Sequence, residues 1–310
     1  MCVGIKSGSS SNPLFGHRRT MLAIPKISIV TPSFNQAQFI EETLRSVSTQ
    51  QYPVLEHIVI DGGSTDGTVQ ILKRYCSTPG WEHLRWISEP DHGQSDALNK
   101  GFRMATGDII GWLNSDDLYE ADSFEKVAKS FEQNPLVDFI YGDYLIIDET
   151  GKTLISKKEI DFDWEIMLCG LNYIAQPNVF FRSGVFKELG YLNDSLHYVM
   201  DYEFWLRAAA HGCRFQHIPS AFAACRWHLG AKTVSRNPRI REELLSVREK
   251  YWNKRRFRNT LVQASYQKYC NVRARASRQW RKLRTRYAID GVPTSWYLKG
   301  WRMRNKSKRP

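Results

Sequence analysis

The sequence lacks the features that mark several common classes of protein. Its six cysteines include no CxxC pair, which argues against a zinc site or a disulfide framework and is typical of a reducing cytosol. No apolar run approaches the roughly 18 residues that a membrane span requires. Residues 1–24 lack the apolar core of a signal peptide, so we expect them to form a flexible leader. Neither a GxxxxGK(S/T) loop nor a GxGxxG motif is present, which argues against P-loop kinases and dinucleotide dehydrogenases.

Acidic residues become scarce towards the C-terminus. Residues 236–310 carry 23 Lys and Arg but only 4 Asp and Glu, which gives a net charge of +19. Residues 1–235 carry 21 and 28 of these, which gives a net charge of −7. Because the two parts have opposite charge, we expect a mildly acidic body and a basic tail with different roles.

Residues 26–148 alternate apolar runs of strand type with stretches whose apolar residues recur at helical spacing. With short links, this alternation predicts an α/β fold with a mainly parallel sheet and helices on both faces. After residue 148, a hairpin turn at ETGK and mixed short elements follow to about residue 235. Strands are predicted at 26–32, 55–61, 84–90, 108–114 and 137–148, and helices at 37–50, 68–75, 95–105 and 121–133.

Polar side chains collect at the ends of the first four predicted strands. In open parallel sheets, ligands bind at the carboxyl ends of the strands. Any one of these loops has a structural explanation, because Asp and Ser cap helices and polar residues fill turns. Four such loops at one edge favour a binding site. The loops contain residues 31–35, 61–64, 89–94 and 114–117.

Asp116 and Asp117 end the fourth predicted strand with two adjacent like charges. Mg²⁺ and Mn²⁺ prefer carboxylate, water and phosphate oxygens, and a bound diphosphate could supply most of these ligands. The pair therefore indicates a divalent-cation site on the same sheet edge as Asp61. A helix N-cap followed by a first-turn acid is the alternative, and the two residues alone do not separate the two explanations.

Four stretches of the chain resemble glycosyltransferase family 2, whose members have the GT-A fold. They are residues 27–68, 88–117, 175–186 and 199–212, and they include IDGGSTDGT, SEPDHGQSDALNKG, WLNSDD and VMDYEFWLRAAAHG. The resemblance implies a GT-A domain over residues 25–235, followed by residues 236–310 as a basic helical tail. It also implies an inverting, metal-dependent enzyme that transfers a sugar from UDP or another nucleoside diphosphate to a hydroxyl acceptor.

The same resemblance implies roles for individual residues. Asp201 would be the general base that takes the proton of the acceptor hydroxyl. Asp117 would bind Mg²⁺ or Mn²⁺ at the donor diphosphate, with His228 as a second metal ligand. Asp116 would contact the ribose or the donor sugar. The remainder of the nucleotide-sugar pocket is implied for Thr31, Pro32, Phe34, Asn35, Asp61, Gln94 and Asp96.

Simpler explanations compete for several of these residues and their neighbours. Asp201 opens an amphipathic stretch and could be only a first-turn acid. His228 could be a structural histidine, and Gln176 could be a plain loop amide as well as a contact with the acceptor or donor. Arg226 and Lys232 could neutralise the diphosphate or could be ordinary surface charges.

The chain departs from the family pattern at two positions. The family often has a second Asp after Asp61, which reads uracil, and this chain has Gly62 there, so the identity of the base is open. The family often has Glu before the catalytic Asp, where this chain has Met200. These departures keep a non-catalytic nucleotide-sugar-binding protein as an alternative. A nucleotidyltransferase fits less well, because its Gly-rich basic phosphate loop is absent.

The basic tail contains a predicted amphipathic helix. Its apolar residues recur with gaps of 3 and 4, and Lys and Arg fill the other faces, as in interfacial helices on anionic membranes. With the family resemblance, this predicts a peripheral enzyme at the cytoplasmic face of the plasma membrane. Its acceptor would be a glycan or a lipid-linked molecule in polysaccharide or glycolipid biosynthesis. Packing of the tail on the catalytic domain and nucleic-acid binding are the alternatives. The apolar stripe comprises Tyr269, Val272, Ala276, Trp280, Leu283 and Tyr287.

Overall fold

A computed structural model describes residues 24–169, 172–234, 237–252, 265–266, 268–273, 275–277 and 279. Within these residues, nine strands form one sheet that is surrounded by helices. The predicted leader, apart from its last residue, lies outside the described residues.

The first half of the sheet is parallel, as the sequence predicts. Its strands are β1 (Ile27–Ser33), β2 (Leu55–Asp61), β3 (Leu84–Ser88) and β4 (Ile109–Trp112), in the spatial order β3-β2-β1-β4. The connecting helices are α1 (Ile40–Ser48), α2 (Thr68–Cys76) and α3 (Gln94–Met104). All seven residues of β1 are buried, because helices cover both faces of this half. The carboxyl ends of β1, β2 and β3 therefore meet at one edge.

The second half of the sheet is mixed, and the sequence predicts only one of its strands, at 137–148, together with the hairpin turn that follows it. It contains β5 (Leu118–Tyr119), β6 (Phe139–Ile147), β7 (Thr153–Lys157), β8 (Val179–Arg182) and β9 (Phe215–Arg226), and it continues the sheet in the order β4-β8-β6-β9-β5. β7 pairs with β6 across the predicted ETGK turn, where Gly151 has a φ of +83°. The helices are α4 (Ser123–Gln133), α5 (Trp164–Leu168), α6 (Val185–Leu189), α7 (Met200–Ala210) and α8 (Pro238–Trp252).

The largest buried cluster fixes α7 against the sheet. Phe204 and Trp205 of α7 are fully buried and lie against Phe139 of β6 in edge-to-face contacts. Burial of each such side chain stabilises the fold by roughly 1.5–3 kcal/mol. These two residues therefore belong to the core, and α7 is held firmly in place.

The start of the basic tail belongs to the packed body. Val247, Tyr251 and Trp252 of α8 are buried in the cluster around α7. The carboxylate of Glu243 accepts hydrogen bonds from the backbone N–H groups of residues 197 and 198, just before α7. The predicted boundary at residue 235 therefore precedes a helix that is part of the fold.

The described residues between 265 and 279 are helical and also pack on the body. Cys270 is fully buried against Cys169, the residue that follows α5. Arg273 forms ion pairs with Asp163 and Glu165 at the start of α5, with an N···O distance of 3.0 Å to Glu165. The packing alternative is thus confirmed for this part of the tail.

The predicted apolar stripe of the tail is only partly described. Tyr269 and Val272 are 56% and 58% exposed, so they do not make the contact with the body. Trp280, Leu283 and Tyr287 lie outside the described residues. No helix in the described part of the chain is both long enough and apolar enough for a membrane crossing.

Candidate functional site

The loops after β1 and β2 are tied together at the edge of the sheet. The backbone N–H of Asn35 donates to Ser64 Oγ at 2.7 Å, and Asn35 Oδ1 accepts from the N–H of Thr65 at 3.0 Å. Asn35 has a φ of 52°, which Asn tolerates better than most residues. The side chain that was predicted to line the nucleotide pocket therefore also closes the loop.

The residues predicted from β1 divide into a supporting pair and an exposed pair. Thr31 and Pro32 are buried, and Thr31 Oγ1 is 2.9 Å from Nε2 of His57. Complete burial lowers the pKa of His57 to about 3, so this histidine is a neutral partner. Phe34 is 59% exposed, and Asn35 is exposed beside it.

Asp61 is fully buried, and its carboxylate is saturated by neighbours. Its Oδ2 accepts from the N–H groups of Gly63 and Ser64 at 3.1 and 2.9 Å and from Ser88 Oγ at 2.7 Å. Its Oδ1 accepts from Ser64 Oγ. Asp61 thus lies at the predicted edge, and its carboxylate organises the loop.

Asp116 and Asp117 are adjacent in sequence but have different surroundings. Asp117 is 5% exposed; its Oδ1 accepts from the N–H of Arg226 at 2.9 Å, and its Oδ2 accepts from Asn114 Nδ2 at 3.1 Å. Burial, and then the neighbouring Asp116 charge, raise the pKa of Asp117 well above its usual range. Oδ2 of the more exposed Asp116 is 2.9 Å from Nε2 of His228. His228 therefore pairs with Asp116 and not with Asp117.

A chain of hydrogen bonds leads from the surface to this acidic pair. Lys232 Nζ donates to Gln94 Oε1 at 2.9 Å, and Gln94 Nε2 donates to Asn114 Oδ1 at 2.8 Å. Asn114 in turn donates to Asp117. Gln94, the first residue of α3, thus reaches the loop after β4, as its predicted role requires.

Asp96 is not part of that chain of hydrogen bonds. It is in the first turn of α3, where it accepts from the N–H of His92 at 3.1 Å and pairs with Lys100 at 3.4 Å. These contacts stabilise the start of α3, and they do not involve Asp116 or Asp117. The predicted contact of Asp96 with the nucleotide sugar stays a prediction.

Arg226 is a buried organiser of the acidic loop. Its side chain is fully buried, its Nε donates to the backbone carbonyl of Asp116 at 2.9 Å, and its guanidinium pairs with Glu42. A second branch donates to the carbonyl of Glu149 at 2.9 Å. Because all of these bonds are internal, Arg226 holds the loop and is not placed to neutralise a diphosphate.

Asp201 lies in the first turn of α7 and is partly exposed. Its Oδ2 accepts from Asn172 Nδ2 at 3.0 Å, and its Oδ1 accepts from the N–H of Tyr202 at 2.7 Å. Burial raises the pKa of Asp201 to about 6, although both hydrogen bonds act in the opposite direction. Such a carboxylate is mostly ionised at neutral pH and more basic than an ordinary Asp. Asn172 carries no sequence signal that could have identified it.

Two segments connect the loops of the parallel half to Asp201. Buried Gln176 donates its amide to the backbone carbonyl of Trp112 at the end of β4, four residues after Asn172. Ser95 Oγ in the first turn of α3 donates to the carbonyl of Leu196 at 2.9 Å, shortly before α7. The acidic pair and Asp201 are therefore held in one framework.

The described residues offer few side chains that could together hold a divalent cation. Among the described residues, no group of three or more His, Cys, Asp and Glu side chains is arranged to hold a metal ion. Asp116 and His228 nevertheless bring a carboxylate oxygen and an imidazole nitrogen to one place. Those two donors suit Mn²⁺ when phosphate oxygens and water complete its shell.

Comparisons with known proteins agree with this architecture. The chain is 30% identical over 201 residues to the PGL/p-HBAD biosynthesis glycosyltransferase of Mycobacterium bovis (strain BCG / Pasteur 1173P2), which covers 64% of this chain and 76% of that protein. S. aureus TarS 1–349 in complex with UDP-GlcNAc superposes with a TM-score of 0.61 at 19% identity, over 78% of this chain and 70% of TarS 1–349. The chain spans 39% of a longer TarS chain.

A second solved structure has the same fold. Mannosyltransferase PcManGT from Pyrobaculum calidifontis, in complex with GDP-Man and Mn²⁺, matches with a TM-score of 0.56 at 19% identity, over 92% of this chain and 81% of that one. These likenesses confirm the predicted GT-A-like α/β fold. The model of "Glycosyl transferase family 2" matches residues 28–209, which is more than half of the sequence. The chain therefore belongs to glycosyl transferase family 2 and is a glycosyltransferase.

Proposed function

We propose that this protein is an inverting glycosyltransferase that moves a sugar from a nucleoside diphosphate to a hydroxyl acceptor. The observation that carries the proposal is the environment of Asp201, a partly exposed carboxylate whose pKa is raised to about 6 on a rigid helix. A general base works best when its pKa lies near the operating pH. The rigid packing of α7 supports the same role, because it fixes the position of the carboxylate.

On the donor side, Asp116 and His228 would hold Mg²⁺ or Mn²⁺. The cation would offset the negative charge that develops on the leaving diphosphate. Asp117, the ligand predicted from the sequence, stays a proposed ligand beside them, since Arg226 and Asn114 each donate one hydrogen bond to its carboxylate and its oxygens keep further lone pairs. The same two contacts fix the loop that presents Asp116.

On the acceptor side, a carboxylate oxygen of Asp201 would take the proton of the attacking hydroxyl. The hydroxyl oxygen would form its bond to the anomeric carbon from the face opposite the departing diphosphate, so the configuration inverts. The transition state would have oxocarbenium character, as in glycoside hydrolysis. General-base assistance of this type contributes about 10²–10⁴ to the rate. Asn172 would keep the carboxylate turned towards the acceptor.

The names of similar proteins support the class of substrate. The TarS complex contains UDP-GlcNAc, and the PcManGT complex contains GDP-Man and Mn²⁺. The relative from Mycobacterium bovis is named for PGL/p-HBAD biosynthesis. We therefore include in the proposal a nucleotide-sugar donor and a glycan or lipid-linked acceptor, with a role in polysaccharide or glycolipid biosynthesis.

The proposal extends to a peripheral location at the cytoplasmic face of the plasma membrane. Exposed Tyr269 and Val272 on a segment with a strong positive charge support contact with an anionic surface. Replacement of both by Ser should weaken sedimentation with phosphatidylserine vesicles and leave that with neutral vesicles unchanged. Unchanged binding to the anionic vesicles would contradict this part. Tight, salt-sensitive RNA binding that nucleotides do not affect would favour the nucleic-acid alternative.

The main test is a panel of nucleoside diphosphates and nucleotide sugars with and without Mn²⁺. We expect at least one of them to raise the melting temperature in a metal-dependent manner, and the corresponding nucleotide sugar to release its diphosphate when an acceptor is present. A thermal shift without any release would favour the non-catalytic binding protein. The absence of a shift with every nucleotide would overturn the proposal.

A further inference from the structure

Gly62 directly follows β2, and the space that a larger side chain would need at this position is occupied by another residue. A Cβ added at Gly62 would lie 2.6 Å from Oδ2 and 3.1 Å from Cγ of Asp91. A methyl group and a carboxylate cannot approach so closely without one of them moving. The backbone itself does not require glycine here, since Gly62 is absent from the positive-φ glycines of the described residues. Asp91 therefore fills the place of a side chain on β2.

Asp91 reaches this place from the loop between β3 and α3. Its Oδ1 accepts from the N–H of Gly93 at 2.8 Å, which fixes the orientation of the carboxylate. Gly93 has a φ of +113°, a conformation that glycine allows and that lets the loop turn back. Among the described residues, no hydrogen bond reaches Oδ2 of Asp91, the oxygen that faces Gly62. This oxygen can accept a hydrogen bond from a ligand.

The other carboxylate at this edge is committed to the loop. Asp61 is fully buried and accepts four hydrogen bonds from residues 63, 64 and 88. A ligand could use Asp61 only if it displaced one of those donors, which would leave a buried group unpaired. Asp91 is half-buried and lies on the same edge. Compared with Asp61, Asp91 is therefore the carboxylate that a ligand can reach, whereas Glu89 of the same loop is paired with Lys100.

An exposed aromatic ring completes the arrangement. The strands are ordered β3-β2-β1, so Asp91 follows β3, Gly62 follows β2, and Phe34 follows β1. Phe34 is 59% exposed, although a ring of this size is usually buried in a core. Aromatic side chains stack on nucleobases, and an ionised carboxylate can only accept hydrogen bonds, as it would from an N–H group of a base. A flat ligand with an N–H on its edge matches both groups.

We propose that Asp91, whose carboxylate occupies the space beside Gly62, recognises the base of the donor nucleotide by a hydrogen bond. This inference rests on the proposed function and specifies the base. The central nitrogen on the pairing edge carries a proton in uracil and guanine, and these bases donate to Asp91. The same position in cytosine and adenine is a lone pair, which repels a carboxylate. The donor is therefore a UDP-, dTDP- or GDP-sugar and not a CDP- or ADP-sugar, since thymine carries the same proton as uracil.

The test compares the binding of UDP, GDP, CDP and ADP by isothermal titration calorimetry in the presence of Mn²⁺. The full chain should bind UDP or GDP about 10- to 100-fold more tightly than CDP and ADP, which is the range for a hydrogen bond to a charged group. Asp91→Asn should reduce that ratio to a few-fold, because the amide of Asn can donate to the lone pair of cytosine or adenine as well as accept from uracil or guanine. Glu89→Gln, the matched control on a neighbouring acid that pairs with Lys100, should leave the ratio unchanged.

The position of Gly62 allows the carboxylate to be moved. Gly62→Ala should displace Asp91 and lower the ratio as Asp91→Asn does, with no further loss when it is combined with Asp91→Gly. The double variant Gly62→Asp, Asp91→Gly returns a carboxylate to β2 and should recover the preference for UDP or GDP.

Two outcomes separate the inference from the function on which it rests. A ratio that is the same in Asp91→Asn as in the original chain overturns the role of Asp91 and leaves the proposed function intact. A lack of binding by all four nucleotides in the original chain overturns both. Circular dichroism and melting temperature show that each variant is folded.

Discussion

The edge formed by β1, β2 and β3 and the first turn of α7 each hold a carboxylate, but they hold it differently. Asp61 is fully buried and satisfied by four hydrogen bonds, so its negative charge is stabilised within the loop. Asp201 has two hydrogen bonds, and burial outweighs them and raises its pKa to about 6. The first arrangement favours a fixed shape, and the second favours proton transfer. This contrast fits the proposed division of roles, with recognition of the donor at the sheet edge and proton transfer at the start of α7.

Asp201→Asn should give the largest effect and is the sharpest test of this contrast. The variant keeps the shape of the side chain but cannot accept the proton, so kcat should fall by about 10²–10⁴. Nucleotide binding, measured by calorimetry, should stay within a few-fold because the donor edge is intact. An equal loss of nucleotide affinity would show that the two regions do not have separate roles.

His228→Ala should give the next largest effect, and it concerns the donor side. Loss of the proposed ligand beside Asp116 should weaken Mn²⁺-dependent nucleotide binding by at least about 10- to 100-fold, because removal of even an outer partner of a metal ligand has an effect of that size. Leu229→Ala is the matched control, because Leu229 is 92% exposed and follows directly in the chain. An unchanged Mn²⁺ dependence in His228→Ala would exclude this histidine from the cation site.

Asp61→Asn should affect stability where Asp201→Asn does not. The new amide would face the N–H groups of Gly63 and Ser64, and buried donors without an acceptor cost about 1–3 kcal/mol each. The free energy of unfolding in urea should fall by about that amount. Asp201→Asn is the comparison, since it removes a charge whose burial is unfavourable. A larger loss of stability in Asp201→Asn would reverse the proposed contrast.

The smallest expected effect is a displacement of the pH profile. The value of kcat/KM should rise with pH through about 6, because the pKa of Asp201 is raised to about 6 and the base acts when it is deprotonated. The hydrogen bond from Asn172 lowers the pKa of Asp201, so Asn172→Ala should move this acid limb to higher pH. The expected displacement is roughly half to one pH unit. A displacement to lower pH would contradict the geometry.

The sequence was sufficient for the parallel half of the sheet. β2 is predicted at 55–61 and found at Leu55–Asp61, because a strand buried on both faces is a continuous apolar run between turns. The fourth strand is predicted to residue 114 but ends at Trp112. There the backbone turns, with the N–H of Asp117 donating to the carbonyl of Asn114 at 3.2 Å. Because of that turn, the Asn114 side chain lies outside the strand, where it accepts from Gln94 and donates to Asp117.

Of the mixed half, only β6 and the turn after it could be predicted, because the other pairings join distant parts of the chain. β5 has two residues, and it pairs with residues 223 and 224 of β9. The contact between Asp116 and His228 spans 112 positions in sequence, so the residue types suggest a cation site but do not show which of the two adjacent acids pairs with the histidine. Nothing in the sequence singles out Asp91 within its loop, and only the structure shows its carboxylate in the space beside Gly62.

The contact of Glu243 with the segment before α7 has a practical consequence for protein engineering. A truncated variant that ends before α8 would lose the carboxylate that caps the N–H groups of residues 197 and 198, two residues from the start of the helix that carries Asp201. Loss of activity in such a variant would then report damage to the helix of the proposed base and not the loss of a tail that binds a partner. A variant that keeps Glu243, Cys270 and Arg273 retains these contacts with the body and is the better choice for that comparison.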